Sequence, residues 1–174
     1  MNYCSDCGGK LNVAEDSPAP NERLIPIYEC SSCTKRYYSN PTVGVAVIYL
    51  KDNKILLGKR NSQYQYGKWC IPCGHLDPFE PVEIGARREF YEETSLEALN
   101  LKLFHARTNP NNTVGLYYYT SWVKGEPKAN DDLSELGFFD FDNLPELAFQ
   151  SDVHVINRLR KEIKKHDTHK PFPN

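Results

Sequence analysis

The chain is expected to fold as an α/β protein: a mixed sheet covered by helices, preceded by a small β unit held by cysteines. Three observations predict this. Strand-like runs lie on both sides of one strong helix, and a second amphipathic helix comes late in the chain. That order suits a sheet with helices packed on its faces. The third observation is the cysteine spacing: the six cysteines fall as Cys4/Cys7, Cys30/Cys33 and Cys70/Cys73, each pair separated by two residues.

The first unit is expected to span residues 1–38. Two Cys-x-x-Cys knuckles flank a turn-rich tip, "EDSPAPNE" (15–22), and a strand-like return, "RLIPIYEC" (23–30). Four thiolates at about 2.3 Å satisfy the tetrahedral preference of Zn²⁺ and leave no open position, which points to a structural ion held by Cys4, Cys7, Cys30 and Cys33. A stretch this short, with few large apolar side chains, cannot bury enough surface to fold without such a staple. In shape the unit resembles a zinc ribbon.

"SNPTVG" (39–44) punctuates the chain and opens the second unit, expected over 39–174 with 166–174 as a loose tail. "VGVAVIYL" (43–50) and "KILLGKR" (54–60) read as a hairpin joined by "KDNK". "GKWCIPCG" (67–74) is a short strand running into a loop. "EPVEIGARREFYEETSL" (80–96) is the clearest helix, with Pro81 near its first turn, where a missing N–H is harmless, and Gly85 as its weak helix former. "LKLFHART" (101–108), "TVGLYYYTSWV" (113–123) and "ELGFFDF" (135–141) read as further strands. "QSDVHVINRLRKEIKKH" (150–166) is the second helix, capped by Ser151 or Asp152.

Composition narrows the function. With 40% apolar and 25% charged residues the chain has the make-up of a soluble globular protein. A net charge of −2 gives no overall basic field, so nucleic acid is not expected as a partner on charge alone. The longest apolar run, 43–50, is too short for a bilayer. "MNYCSDCGGK" shows no cationic and apolar leader, so the expected location is the cytoplasm. In a reducing compartment, paired cysteines point to metal or redox chemistry before disulfides.

The helix over 80–96 carries the chemistry. Glu89, Glu92 and Glu93 stand at i, i+3 and i+4, so three carboxylates share one face. Unassisted, each pair at ~4 Å costs about 1 kcal/mol in water and more when shielded. A hard divalent cation reverses that sign. Mg²⁺ takes few carboxylates, keeps waters, and completes its shell from substrate phosphates.

The letters around this helix run Gly74, five residues, Glu80, seven residues, then Arg88, Glu89, Phe90, Tyr91, Glu92, Glu93, Thr94, Ser95, Leu96. They resemble the Nudix box, G-x₅-E-x₇-R-E-U-x-E-E-x-G-U, with Ser95 replacing the late glycine. The family resemblance covers about residues 40–160 and implies an α/β/α sandwich and metal-assisted hydrolysis of a phosphoanhydride. It implies Glu92 and Glu93 as Mg²⁺ (or Mn²⁺) ligands and Glu89 as a further ligand or the base. It also implies a further ligand in the backbone carbonyl just before the motif glycine, here that of Cys73. Arg88 and Glu80 are expected to pair and hold the loop against the helix. A second base would come from a downstream loop, where Asp131, Asp132 and Glu135 are candidates, although each reads first as a surface acid. A homodimer is also implied by the family.

Other features read first as structural. Cys70 and Cys73 are expected in the strand and loop entering the box, as small core residues. Lys59 and Arg60 end a strand near the site but suit a surface role, and Tyr117 to Tyr119 and Trp122 read as alternating core and surface positions before they read as base-stacking groups.

A zinc ribbon ahead of a Nudix domain resembles two groups, the NADH pyrophosphatases and enzymes acting on ADP-ribose or FAD. The S-Q-P-W motif of the first is missing from "FHARTNPNNTVG" (104–115), whereas Pro110 falls near a proline found in ADP-ribose hydrolases. The expected substrate is therefore an ADP-ribose- or FAD-like dinucleotide, split to AMP and a phosphate ester. The alternatives are an NADH pyrophosphatase, or a non-hydrolytic nucleotide- or RNA-binding protein using Lys35, Arg36, Tyr37 and Tyr38.

Overall fold

The structure, a computed structural model, describes residues 2–17 and 26–166. Chain contacts divide it into two compact units, Met1–Pro41 and Thr42–Asn174. Most of the tip expected at 15–22, the start of the return at 23–25 and the tail from 167 lie outside the described residues. Among the described residues no helix is long and apolar enough to cross a membrane.

In the first unit, β1 (Leu11–Val13), β2 (Tyr28–Cys30) and β3 (Arg36–Tyr37) form an antiparallel sheet in the order β1-β2-β3. Two knuckles repeat one backbone pattern. Cys4 N–H donates to Gly9 O at 2.8 Å and Gly8 N–H to Cys4 O at 3.0 Å; Cys30 N–H donates to Lys35 O at 2.9 Å and Thr34 N–H to Cys30 O at 3.0 Å. Each closes on a left-handed residue, Gly8 at φ 72° and Thr34 at φ 58°.

The second unit is built on β4 (Thr42–Lys51), β5 (Lys54–Arg60), β6 (Trp69–Cys70), β7 (Cys73–His75), β9 (Lys102–Thr108), β10 (Thr113–Thr120) and β12 (Leu133–Phe139). The sheet runs β12-β5-β4-β10-β9, with β6 on β5 and β7 on β4. The pairing of β10 with β4 is parallel and the others are antiparallel, so the sheet is mixed. The β4–β5 hairpin turns through Asp52 and Asn53, both with positive φ (51° and 60°), as a two-residue turn between twisted strands requires.

Side-chain alternation sends neighbours to opposite faces. Ala46, Ile48, Ile55, Leu57 and Tyr117 pack with Val155, Ile156 and Leu159 of α2 (Gln150–His166). Val45, Val47, Leu56 and Tyr118 pack with Ala86 and Phe90 of α1 (Val82–Thr94). One helix on each face makes the expected sandwich.

Several local expectations are corrected. The first helix runs 82–94, with Pro81 as its N-cap. The strand expected over 113–123 stops at Thr120, where Thr120 Oγ1 bonds Trp122 O at 2.9 Å. A separate ribbon then forms between β11 (Val123–Lys124) and β8 (Glu97–Ala98). Tyr117 and Tyr118 are both core residues, one on each face, because the strand is covered on both sides. The Asp152 carboxylate is not a helix cap: it accepts from the Ile71 amide at 3.0 Å.

Candidate active site and metal centre

The four cysteines of the first unit converge. Their sulfurs all lie within 4.8 Å of one another, with Cys4–Cys33 at 3.7 Å and Cys7–Cys30 at 3.5 Å. Four ligands at about 2.3 Å on a tetrahedron stand about 3.8 Å apart, so the quartet fits a zinc ion. The Asp6 and Ser32 amides each point at a knuckle sulfur, Cys4 and Cys30, at 3.4 Å. The Tyr37 hydroxyl sits 3.0 Å from Cys4 Sγ and brings that thiol down to about 6, favouring the thiolate that metals require. Lys35 is ion-paired to Asp6, and Arg36 to Asp16 and Glu29. Three of the four residues considered for stacking on RNA are thus engaged within their own unit.

In the second unit the loop from β7 into α1 is closed by Arg88. Its Nε and Nη2 fork onto the two Glu80 carboxylate oxygens at 2.8 and 2.9 Å, while Nη2 also reaches His75 O at 3.1 Å. Arg88 holds the Glu80 carboxyl down at about 2. The fold-back needs room, and Gly85 supplies it, since a Cβ there would collide with Leu76 and meet the Glu80 carboxylate. A glycine in the middle of a helix therefore has a packing reason.

Arg88 Nη1 continues to Glu89 and Glu92, each at 3.0 Å. Glu93, only 2% exposed, accepts from the Cys73 amide at 2.7 Å. Burial pushes Glu89 and, far more, Glu93 above the usual carboxylate range. Desolvation thus disfavours the charged form of both carboxyls, a penalty that a bound cation would offset. Among the described residues only the cysteine quartet closes to a group with ligand atoms within 4.8 Å; the three glutamates stand wider, with Arg88 bonded to two of them. Their hard oxygen donors and excess negative charge still suit a divalent ion. Gly74 lets Glu89 approach the sheet, because any Cβ there would collide with its carboxylate. At the C-terminal end of α1, Ser95 adopts the left-handed conformation (φ 60°) and its hydroxyl oxygen accepts from Asn130 Nδ2 at 2.8 Å. The hydroxyl thus gains a partner that a glycine would lack.

Cys73 and Gly74 also line a cavity of about 390 Å³ whose walls include Arg60, Tyr64, Asn109, Tyr117, Asp132, Phe149 and Asp152. This corrects the surface reading of Arg60, which is 8% exposed and hydrogen-bonds Tyr64 O at 3.1 Å. Asp152 is buried, and desolvation pushes its carboxyl up to about 7. Of the downstream acids, Asp132 borders the cavity, Glu135 pairs with Lys59 at 3.4 Å, and Asp131 sits in a turn at φ 51°. Cys70 is fully buried against Leu133 and Ala148. Its thiol, together with burial, raises the Cys73 thiol well above the ordinary value. Sequence reasoning missed Tyr64, Asn109 and Phe149. They meet only through tertiary folding and carry no spacing signal. Asp152 had a signal, an acid at a helix start, that fitted a cap equally well.

Comparison with known proteins agrees with this geometry. The NUDIX domain profile matches residues 39–159. An ADP-ribose pyrophosphatase from Methanocaldococcus jannaschii is 35% identical over 130 residues, covering 72% of this chain and 77% of that protein. An NAD-capped RNA hydrolase NudC from Vibrio atlanticus is 25% identical over 85% of this chain; the chain spans only 52% of that relative's length. The crystal structure of a NUDIX hydrolase from Nitrosomonas europaea superposes with a TM-score of 0.75 at 24% identity, covering 100% of this chain and 97% of that one. The chain, with its box at Gly74–Leu96 and a helix on either face of a mixed sheet, belongs to the Nudix hydrolase family.

Proposed function

We propose that the protein hydrolyses the pyrophosphate bond of an ADP-ribose- or FAD-like dinucleotide in the cytoplasm, with Mg²⁺ or Mn²⁺, giving AMP and a phosphate ester. The observation carrying this reading is the placement of the Glu89 and Glu93 carboxylates against the backbone of Gly74 and Cys73, at the edge of the cavity. The archaeal relative, named for ADP-ribose, supports the substrate class.

Glu89, Glu92 and Glu93, with the Cys73 carbonyl, would hold the divalent ion. Once bound, such an ion neutralises diphosphate oxygens and lowers the pKa of an attacking water. The rest is done by the chain. The Glu80–Arg88 fork fixes the loop so that Gly74 and His75 keep their register on β4. Arg60, facing the cavity, offers a cation to a substrate anion. Glu89, with its raised affinity for protons, suits the base; Asp132 is the one downstream candidate that reaches the cavity. The units at 1–38 and 39–174 divide the labour in this reading: a ribbon holding one structural zinc, and a hydrolase domain that pairs as a homodimer.

A panel of ADP-ribose, FAD, NADH, NAD, CoA and diadenosine polyphosphates, ranked by kcat/KM, tests the substrate. ADP-ribose or FAD should lead by at least about tenfold, and NADH in first place would overturn the assignment. Glu93→Gln should lower turnover by more than about 100-fold, the upper end of what losing an outer partner of a metal site costs, while the melting temperature holds. Turnover close to that of the wild type would remove Glu93 from the ligand set.

A further inference from the structure

Between β6 and β7 the chain leaves one strand for another. Cys70 pairs with Gly58 of β5, whereas Cys73 pairs with Ala46 of β4. Ile71, Pro72 and Cys73 make the crossing, and it starts in the interior, where Cys70 and Ile71 are fully buried. Polar groups of a buried backbone need partners. The Pro72 carbonyl accepts from Val47 N–H at 3.0 Å. Proline has no N–H, so the crossing carries two amides.

Each amide ends on a carboxylate, and the two carboxylates come from different helices. Cys73 N–H donates to Glu93 Oε2 of α1 at 2.7 Å, and Ile71 N–H donates to Asp152 Oδ2 of α2 at 3.0 Å. Both acids are 2% exposed. The helices cover opposite faces of the sheet, so the crossing is clamped from both. Asp152 is itself fixed: its N–H donates to Phe149 O at 3.1 Å, and Val155, Ile156 and Leu159 anchor the following turns of α2 in the core.

The two acids differ in what lies beyond the amide they hold. Glu93 is a proposed ligand, and its partner Cys73 carries the backbone carbonyl assigned to the same ion. Asp152 bonds Ile71, which is not a ligand. Without that acceptor a buried N–H is stranded, a penalty that the crossing relieves by shifting toward another partner. Little between Ile71 and Cys73 can absorb such a shift, because the peptide units are planar and the Pro72 ring locks its φ. The shift therefore reaches the Cys73 carbonyl.

We infer that Asp152 is a positioning residue for the metal site: from the opposite face of the sheet it holds Ile71-Pro72-Cys73 so that the Cys73 carbonyl and the Glu93 carboxylate meet one divalent ion. The inference rests on the proposed metal-assisted reaction and adds a residue of α2, well outside the box. The clamp requires an acceptor oxygen and no charge, so asparagine should serve in its place and alanine should not.

Mn²⁺ binding to the full-length protein without substrate, followed by electron paramagnetic resonance, reads the metal site apart from turnover. Asp152→Ala should weaken Mn²⁺ binding by about tenfold or more, as loss of an outer partner of a metal site does. Asp152→Leu, branched like aspartate but without an acceptor, should do the same, and Asp152→Asn should bind nearly as the wild type does. Val155→Ala thins the α2 core and leaves the Ile71 amide its acceptor, so it should also keep its affinity. Wild-type affinity in the alanine and leucine variants, or an equal loss in Val155→Ala, would overturn the positioning role. Amide exchange in the metal-free protein gives a second reading. Asp152→Ala should lose protection at Cys73 as well as at Ile71, although Glu93 is intact; protection kept at Cys73 would overturn the clamp. A wild type that binds no Mn²⁺ would sink the proposed reaction, while lost protection at Cys73 would still uphold the clamp. Mn²⁺ binding that depends on Asp152, in a protein that splits neither ADP-ribose nor FAD, would overturn the substrate and leave the positioning role standing.

Discussion

The two units reach order by opposite routes. The first buries little apolar surface: Cys4, Leu11 and Cys30, with Tyr28 and Tyr37 against them. Two residues of that cluster belong to the thiol quartet. The second has two apolar layers, one on each face of its sheet, with Phe90, Ile48, Ile55, Leu56 and Leu57 among its fully buried side chains. It also holds two carboxyls, Glu93 and Asp152, out of solvent. Among the described residues the first unit has no buried carboxyl, and its polar groups serve its own architecture: amides aimed at sulfur, and a tyrosine hydroxyl on Cys4. Charge crowding thus has two meanings in one chain. In the ribbon it is what makes the fold; in the sandwich it is what the fold tolerates.

The sharpest way to break this contrast is chelation. Structural zinc in small domains contributes about 10–16 kcal/mol, so metal removal, or Cys4→Ser, should abolish amide protection across residues 2–17 and 26–38. Protection in β4, β5 and β10 should persist. Bound zinc should fall from one equivalent toward zero by elemental analysis, and loss of protection in both units together would refute the independence. The reciprocal cut is Phe90→Ala. It should cost the second unit about 3–5 kcal/mol by urea titration while the zinc content stays at one equivalent.

A finer test uses pH. Asp152 is held as an acid up to about 7, against an ordinary value near 4. Between those values the folded chain keeps a proton that the unfolded chain has released, so stability falls as pH rises across that window. Asp152→Asn should remove this slope, narrowing the loss between pH 5 and 8 by about 2–3 kcal/mol. An unchanged difference between the two pH values would place the carboxyl in a wetter environment than the cavity wall suggests. The smallest effect is expected in the ribbon. Thr34 occupies the left-handed position that Gly8 fills in the other knuckle, and Thr34→Gly should strengthen the second knuckle by at most about 1 kcal/mol, read as slower zinc release to a chelator.

Much of the sandwich was legible because its signals are local. Unbroken apolar runs in "VGVAVIYL" and "KILLGKR" mark strands buried on both faces, and the box fixes α1, Gly74, Glu80 and the acidic trio by spacing alone. Both cysteine knuckles carry their geometry in four letters. The β8–β11 ribbon was not legible, since two-residue strands have no periodicity to detect. Arg60 ended a strand and read as surface; its burial depends on Phe149, 89 positions away in the sequence. Asp152 illustrates the same limit: its partner is the Ile71 amide, which no helix-start rule could identify. Elements and ligands were readable from short windows, whereas the cavity was not, because its walls come from six separate stretches of chain.

The bare Cα of Gly74 gives a way to separate how much charge the helix carries from where that charge is held. Adding one methyl group there removes no acid and alters no titratable group, yet it occupies the space in which the Glu89 head group rests. Such a substitution shifts a carboxylate without deleting it, so any activity it loses would report on location alone.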